Sequence, residues 1–199
     1  MDDLHVPFFD EAKKKELSSI PQVAGAVWWF VMRDLKRRNA KQPAYKMLKD
    51  MGLDIFTPMV WKLAVVNGKR TPIEVPFMQD LLFVHESRKR LDPIVDKVNT
   101  LQYRFMRDGQ RTPMTVRDAD MEKFMAAVKS DKNPRFYTPK EIKPSMIGKN
   151  VRIIGGILNG YEGRLQKTQG SPVKRIFVEL PNLLAVAVEV QPEFIQVVK

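Results

Sequence analysis

The chain of 199 residues contains no cysteine and only two histidines. Without cysteine it can form no disulfide, carry no thiolate nucleophile and hold no cysteine-ligated zinc. His5 and His85 stand far apart in the sequence and cannot by themselves build a histidine metal site. These scarcities exclude much redox and metal chemistry, and we expect neither a metal nor a cofactor.

Long apolar runs are also missing. The longest, Val23–Met32, is about half of the roughly 20 residues that a membrane-spanning helix needs. The first residues mix acids with Lys13–Lys15 and lack the order of basic region, apolar run and cleavage site that marks a secretory signal. We therefore expect a cytoplasmic protein with no membrane span.

No arrangement of residues typical of a catalytic site is found. The Gly-rich loop Gly155–Gly160 lacks the Gly-Lys-Ser/Thr of a phosphate-binding loop and the helix that should follow it. The acidic pairs Asp118 with Asp120 and Asp92 with Asp96 are better explained as helix caps and solvated faces than as acid–base couples. We expect a protein that is not an enzyme and has no catalytic residues.

Basic residues are abundant, with 34 Lys and Arg against 23 Asp and Glu, a formal charge of +11. The excess is concentrated in the middle, since residues 1–27 carry −2, residues 28–149 carry +11 and residues 150–199 carry +2. A basic balance of this kind favours a polyanionic partner such as nucleic acid. The alternative is that the charge only keeps a small protein soluble.

The first 27 residues show no sustained periodicity and are interpreted as an N-terminal extension. Residues 28–33 are a run of aromatic and apolar residues about one strand long, typical of a strand buried on both faces. Pro43 suits the start of a helix with apolar spacing from Ala44 to Met51, and Gly52 suits its left-handed C-terminal cap. A strand followed by a helix is predicted.

Asn67-Gly68 lies between two β-rich runs, Ile55–Val66 and Ile73–His85, and predicts a hairpin of two long strands. A helix is predicted from Asp92-Pro93, with an earlier, kinked start at Ser87 as the alternative. Further runs predict strands at 101–106 and 113–116 and a helix capped by Asp118. This order predicts an α/β sandwich over 28–129, with helices on one face of a mostly antiparallel sheet.

Residues 130–147 contain three prolines and no apolar periodicity, and are interpreted as a linker. Five short β runs follow within residues 148–199, separated by glycine-containing turns, and they predict a small closed barrel. The five runs are Val151–Ile154, Gly163–Thr168, Arg175–Leu180, Ala185–Val190 and Phe194–Val198.

Two parts of the chain resemble a known family. The segment Gly148–Leu165, with its glycines at the turns, resembles the KOW motif, which implies an SH3-like barrel. Trp29-Phe30, Thr57-Pro58-Met59, Gly68–Thr71 and Leu81–Val84 follow one another in the order of NusG N-terminal domains. The resemblance to the NusG family covers about residues 28–199.

Within that family the chain looks closer to specialised paralogues of the RfaH and UpxY type than to the housekeeping factor, because of Gly-Lys-Arg-Thr and the long strand after it. It departs from the usual Phe-Pro-Gly-Tyr by having Met78-Gln79-Asp80-Leu81. The departure removes a tyrosine from a position expected to touch polymerase.

The resemblance implies a transcription elongation and antitermination factor that binds the clamp helices of the largest RNA polymerase subunit and suppresses pausing and termination. Strand alternation would let Val31, Leu81 and Phe83 share one apolar face for this contact. The alternative for these three residues is ordinary core packing under the helices. UpxY-like members imply action on one surface or capsular polysaccharide operon.

Two basic segments are candidates for contact with non-template DNA or nascent RNA, and we expect their loops to meet at one end of the sheet. They are Lys36, Arg37 and Arg38 after the first strand, and Arg88, Lys89 and Arg90 after the hairpin. A solvated charged surface is the alternative.

By analogy with the family, apolar loop residues of the KOW domain imply a docking patch for a ribosomal protein or termination factor. They are Ile157, Leu158, Tyr161, Leu183 and Leu184, and turn packing is the alternative for all of them. Two other functions stay open for the whole chain: a housekeeping NusG factor, and a ribosome-associated KOW protein that binds structured RNA.

Overall fold

The structure is a computed structural model, and it describes residues 25–36, 41–106, 111–168 and 170–198. The chain divides into two compact units between Asp118 and Ala119. In these described ranges no helix is both long and apolar enough to cross a membrane.

The first unit contains seven strands and two helices, joined by connecting segments. Its elements are β1 (Val27–Asp34), α1 (Ala44–Asp50), β2 (Asp54–Phe56), β3 (Met59–Val66), β4 (Lys69–Pro76), β5 (Leu82–Ser87), α2 (Arg88–Lys97), β6 (Leu101–Tyr103) and β7 (Thr115–Val116).

The second unit begins within a helix and continues as strands with two short 3₁₀ turns. Its elements are α3 (Asp118–Ser130), β8 (Arg135–Tyr137), β9 (Ile147–Ile153), β10 (Glu162–Gln166), β11 (Lys174–Leu180), β12 (Leu184–Val190) and β13 (Ile195–Val197).

Strand β1 is the centre of the main sheet, as its uninterrupted apolar sequence predicts. The strand order is β2–β5–β1–β6, with β7 also paired to β1, and all these pairs are antiparallel. On one face Phe30 and Met32 pack with Leu82 and Val84 against residues of α1 and α2. The predicted mostly antiparallel sheet is present, with two of the three predicted helices, α1 and α2, on one face.

Helix α1 ends where the sequence predicts. Gly52 has φ +73°, a left-handed conformation that costs glycine little. Its N–H bonds the carbonyl of Lys49 at 2.9 Å, and the N–H of Leu53 bonds the carbonyl of Leu48 at 3.1 Å. This pair of bonds is the Schellman motif, which satisfies carbonyls that the helix end leaves open.

The predicted hairpin is present, but it forms a separate two-stranded ribbon of β3 and β4. Asn67 (φ 50°) and Gly68 (φ 76°) make the tight turn between Val66 and Lys69. The prediction of two long strands is wrong, because each run is interrupted before it reaches the main sheet. Thr57-Pro58 separates β2 from β3, and residues 77–81 separate β4 from β5.

Helix α2 follows the earlier of its two predicted starts, with Ser87 as N-cap and Pro93 inside the helix. The strands predicted at 101–106 and 113–116 are shorter than expected, since only Leu101–Tyr103 and Thr115–Val116 are paired as strands. Phe105 and Pro113 are joined by an isolated bridge.

All five strands predicted in the C-terminal domain are present, in the sheet order β13–β9–β10–β11–β12–β8. The predicted closed barrel is not shown, because β13 and β8 are the two edges of this sheet and do not pair with each other in the described residues. Strand β8 lies inside the predicted linker and pairs through Phe136 with Val186 of β12. A short apolar run, Phe136-Tyr137, is sufficient to add this edge strand.

Helix α3 is grouped with the second unit from Ala119 onward, whereas the sequence places it in the N-terminal domain. The ring centroid of Phe124 lies 6.4 Å from that of Phe136, so the helix packs against the residues that follow it. The segment after α3 is held to the sheet by an ion pair of 2.9 Å between Asp131 and Arg175 of β11.

Candidate functional site

The candidate apolar patch lies on the face of the main sheet opposite to α1 and α2. Val31 and Phe83 are direct cross-strand partners, and Phe56 is the partner of Phe83 on its other side. Directly opposed residues share a face, so the sequence prediction that Val31 and Phe83 lie together is matched by the register. Leu81 precedes β5 and is two positions from Phe83.

The three predicted patch residues are buried rather than exposed. Val31 and Phe83 are fully inaccessible and Leu81 is 1% exposed. Their burial is not packing under α1 and α2, since those helices cover the face that carries Phe30 and Met32. A partner could reach the patch only if this face were uncovered.

Two aromatic contacts extend the same face. The ring of Phe56 lies 6.1 Å from that of Phe83, and Trp29 stacks on His85 with ring centroids 4.8 Å apart. Phe56 is only partly buried and is therefore the accessible edge of the patch. Sequence reasoning missed it, although the pairing of β2 with β5 gives it the same parity as Phe83.

The two basic segments lie at opposite ends of the main sheet, so the predicted shared rim is wrong. Strands β1 and β5 are antiparallel, with Val27 opposite Ser87 and Met32 opposite Leu82. Lys36 therefore follows the end of β1 that lies beside the start of β5, whereas Arg88 follows the far end. Arg37 and Arg38 lie outside the described residues.

The second basic segment is the first turn of α2 rather than a loop, and two of its charges are paired. Arg88 contacts Asp92 at 3.1 Å, and Arg90 contacts Glu86 at 2.8 Å. The hydrogen bond to Asp92 raises the pKa of Arg88. Lys89 is exposed and is the residue of this segment best placed to meet a phosphate.

The polar surroundings of α2 hold the helix to the sheet. The hydroxyl of Tyr103 donates a hydrogen bond to Asp92 at 2.7 Å. Burial, together with that carboxylate, raises the pKa of Tyr103 well above its usual range. Burial opposes ionisation of Glu86, but hydrogen bonds from Ser87 and Arg90 outweigh it and lower the pKa of that carboxyl.

A different basic cluster forms beside Lys36. Arg33 and Arg104 both approach Asp80, at 3.7 and 3.4 Å. Gln79 fixes the neighbouring chain by donating to the carbonyl of Lys36 at 2.9 Å. The Nζ of Lys36 donates to the carbonyl of Gln42 at 2.8 Å rather than to Asp80. With Lys36 the cluster has three cations against the two carboxylates Asp34 and Asp80, which leaves positive charge at this end of the sheet. Sequence spacing could not indicate it, because Arg33, Asp80 and Arg104 meet only through the pairing of β1 with β5 and β6.

In the second unit only one of the five predicted docking residues is well exposed. Ile157 is 68% exposed, whereas Leu158, Leu183 and Leu184 are buried. Tyr161 points inward and donates to the carbonyl of Phe177 at 3.2 Å. Burial, reinforced by the charge of Glu179, raises the pKa of its hydroxyl. Turn packing therefore describes most of the set.

Glycines shape the loop that presents Ile157. Gly156 and Gly160 have φ of 68° and 78°. A Cβ on Gly163 would lie 2.6 Å from the Tyr161 ring and 2.9 Å from a backbone oxygen, so no other residue fits there without movement. Ile154 is also exposed at the start of this loop. Sequence reasoning did not include it, although it ends an apolar run before Gly155.

No group of three or more His, Cys, Asp or Glu side chains that could hold a metal occurs in the described part of the chain.

Comparison with known proteins supports part of the resemblance. Residues 28–125 match the sequence model of the NusG family, described as transcription termination factor nusG. A solved structure titled "Domain interaction in Thermotoga maritima NusG" is similar at 12% identity and a TM-score of 0.45, covering 87% of this chain and 98% of that one. No curated protein matches the chain.

Proposed function

Because residues 28–125 match the sequence model of the NusG family, we propose that the chain belongs to this family, binds transcribing RNA polymerase and suppresses pausing and termination. It would do so without catalysing a reaction itself, as a transcription elongation or antitermination factor. The family match over the first domain is the single observation that carries this proposal. The specialised RfaH or UpxY type and the KOW assignment of the second unit belong to the proposal as well.

The proposed polymerase contact is the apolar face that carries Val31, Leu81 and Phe83, entered at Phe56. Two features support it. The β1–β5 register aligns Val31 with Phe83, and Phe56 adds a partly exposed ring beside them. Since the three central residues are buried, binding requires that this face be uncovered, and polymerase contact would then replace the lost burial.

The proposed nucleic-acid contact is the cluster of Lys36, Arg33 and Arg104, on the non-template DNA or nascent RNA. Phosphate contacts by such residues give affinity and salt dependence but no choice of sequence. Lys89 is a separate contact at the other end of the sheet. For the second unit, Ile157 with Ile154 is the proposed contact for a ribosomal protein or termination factor.

The experiment measures how much core RNA polymerase is retained by the immobilised full chain. It compares a matched pair of substitutions on strand β2. Phe56→Ser alters the proposed contact face, and Ile55→Ser alters a residue of similar partial burial on the opposite face. We expect Phe56→Ser to weaken retention by about tenfold or more, as loss of an aromatic side chain that anchors an interface does. Ile55→Ser should retain polymerase once circular dichroism shows that both variants are folded.

The same variants then enter a single-round transcription assay on a template with an intrinsic terminator. Wild type and Ile55→Ser should increase read-through, and Phe56→Ser should not. Equal retention by both variants would remove the proposed contact. Failure of wild type to bind polymerase at low salt, with binding of structured RNA instead, would replace the proposal by the ribosome-associated function.

The operon-specific part has its own test. Deletion of the encoding gene should change transcript levels within one surface or capsular polysaccharide operon. Changes spread over most operons would instead identify a housekeeping factor.

A further inference from the structure

The β3–β4 ribbon carries an apolar stripe that the proposed polymerase contact does not use. Trp61, Leu63 and Val65 are 68%, 72% and 71% exposed. They alternate along β3 and therefore point to one face of the ribbon. Contiguous exposed apolar patches are rare on soluble monomers and mark interaction sites.

The backbone of the ribbon is open on the same strand. The two-residue turn makes Val66 and Lys69 a hydrogen-bonded pair, so pairs alternate from there along the ribbon. Trp61, Leu63 and Val65 consequently occupy non-hydrogen-bonded positions, and their N–H and C=O groups point away from β4. Among the described residues β3 pairs with β4 alone.

The outer edge of β4 differs from that of β3. Pro72 lies opposite Leu63, and Pro76 lies opposite Met59. Both prolines fall at outward-pointing positions, where they remove donors from the edge without disturbing the ribbon. Strand β3 contains no proline between Met59 and Val66. Of the two outer edges of the ribbon, only that of β3 therefore has every outward N–H donor that an added strand would pair with.

Charge indicates the chemistry of that strand. The ribbon carries Lys62, Lys69 and Arg70 against one acid, Glu74. Arg70 lies opposite Val65 at the turn end of the stripe, and Glu74 lies opposite Trp61 at the other end. A segment that covers the stripe would bind more tightly with a carboxylate near Arg70, and less tightly with one near Glu74.

We propose that the outer edge of β3 binds an extended segment of another protein as an additional strand. The segment places alternating apolar side chains on Trp61, Leu63 and Val65, and an acidic residue beside Arg70. Its main chain bonds the free groups of the edge, which supplies affinity, while the stripe and the charge supply specificity. This inference does not depend on the polymerase contact.

Two other occupants fit less well. A second copy pairing antiparallel through β3 would bring its Glu74 towards Arg70, but it would also join two ribbons that each carry three cations against one acid. Single-stranded nucleic acid stacks its bases on aromatic rings, but two of the three stripe residues are aliphatic, and it would leave the backbone edge unpaired.

The test is selection of a phage-displayed library of random nine-residue peptides on the immobilised full chain. We expect enriched peptides to alternate apolar residues with polar ones and to carry Asp or Glu at one end of the apolar series. Selection on Arg70→Glu should exchange those acids for Lys or Arg. Helical spacing in the enriched peptides, or no enrichment, would overturn the proposal.

Three variants separate edge pairing from simple apolar contact. Leu63→Pro and Leu63→Ala both remove the leucine side chain from the stripe, but only proline also removes the outward N–H, at a position equivalent to that of Pro72. Leu63→Pro should therefore bind an enriched peptide about tenfold or more weakly than Leu63→Ala does. Val66→Thr alters an exposed apolar residue of the other ribbon face and should bind the peptide as wild type does. Equal binding by Leu63→Pro and Leu63→Ala would show that no strand is added.

The alternative occupants are measured with the same protein. Sedimentation should show no self-association that Leu63→Pro abolishes, and a single-stranded DNA oligonucleotide should not compete with the peptide. Self-association that Leu63→Pro abolishes would assign the ribbon to a second copy, and competition by the oligonucleotide would assign it to nucleic acid. Either result would overturn the proposal.

Discussion

The main sheet and the β3–β4 ribbon both contain strands with alternating apolar side chains, but these side chains are buried in the main sheet and exposed on the ribbon. Val31 and Phe83 are cross-strand neighbours in the main sheet and are fully buried. Trp61, Leu63 and Val65 alternate in the same manner on the ribbon and are mostly exposed. Alternation shows that a strand has an apolar face, but tertiary neighbours decide whether that face is covered.

The largest contrast is expected in stability. Phe83→Ala should lower the free energy of unfolding by about 3–5 kcal/mol, because it leaves a cavity where a buried ring was. Leu63→Ala on the ribbon should change it by no more than about 0.5 kcal/mol, as exposed substitutions generally do. Urea titration of both variants checks this. Similar costs would mean that the ribbon stripe is covered in solution.

The second prediction concerns a buried carboxylate that holds α1 on the helix-covered face of the main sheet. Asp34 accepts hydrogen bonds from the backbone N–H of Ala44 at 2.6 Å and of Lys36 at 2.9 Å. Asp34→Ala should cost about 1–3 kcal/mol, since the buried N–H of Ala44 loses its partner. Thermal unfolding beside Asp50→Ala, an exposed acid of α1, measures it. Equal melting temperatures would show that Asp34 does not anchor the helix.

The third prediction concerns the ribbon turn. Gly68→Ala places a side chain at φ 76° and should cost about 1–2 kcal/mol. We expect the loss to be local, with faster amide hydrogen exchange in β3 and β4 and unchanged exchange in β1 and β5. Asn67→Gly should preserve the turn and serves as the control. Faster exchange in β1 would contradict the independence of the ribbon.

The smallest effect concerns pH. The pKa of Glu86 is lowered from its usual 4.5, so its ionised form stabilises the folded state above that pH. This stability should be lost as the pH falls through the folded pKa. Glu86→Gln should reduce that part of the pH dependence. Denaturation midpoints between pH 3 and 6, a window of about three units around the usual pKa, record the difference. Parallel curves for Glu86→Gln and wild type would contradict it.

Much of the fold could be predicted from local signals. The apolar run of β1, the cap at Gly52 and the Asn67-Gly68 turn each act over a few residues, and each appears where the sequence indicates. What could not be predicted depends on distant partners. Strand β8 forms because Phe136 pairs with Val186 of the distant strand β12. The ribbon is separate from the main sheet because the chain is interrupted between β4 and β5.

The candidate sites show the same division. The shared face of Val31 and Phe83 follows from alternation, but their burial does not. The two basic segments seemed adjacent because each follows a strand, and only the antiparallel register puts Lys36 and Arg88 at opposite ends. Arg33 and Arg104 meet at Asp80 through the same register.

The central claim, that polymerase binds the Phe83 face and not the helix-covered face, has one direct measurement. A photocrosslinking amino acid is placed at Phe56 or at Ile55 of the full chain, which is then bound to transcribing RNA polymerase. The account predicts a crosslink to the largest polymerase subunit from position 56 and none from position 55. Crosslinks from 55 alone, or from neither position while the chain stays bound, would contradict it.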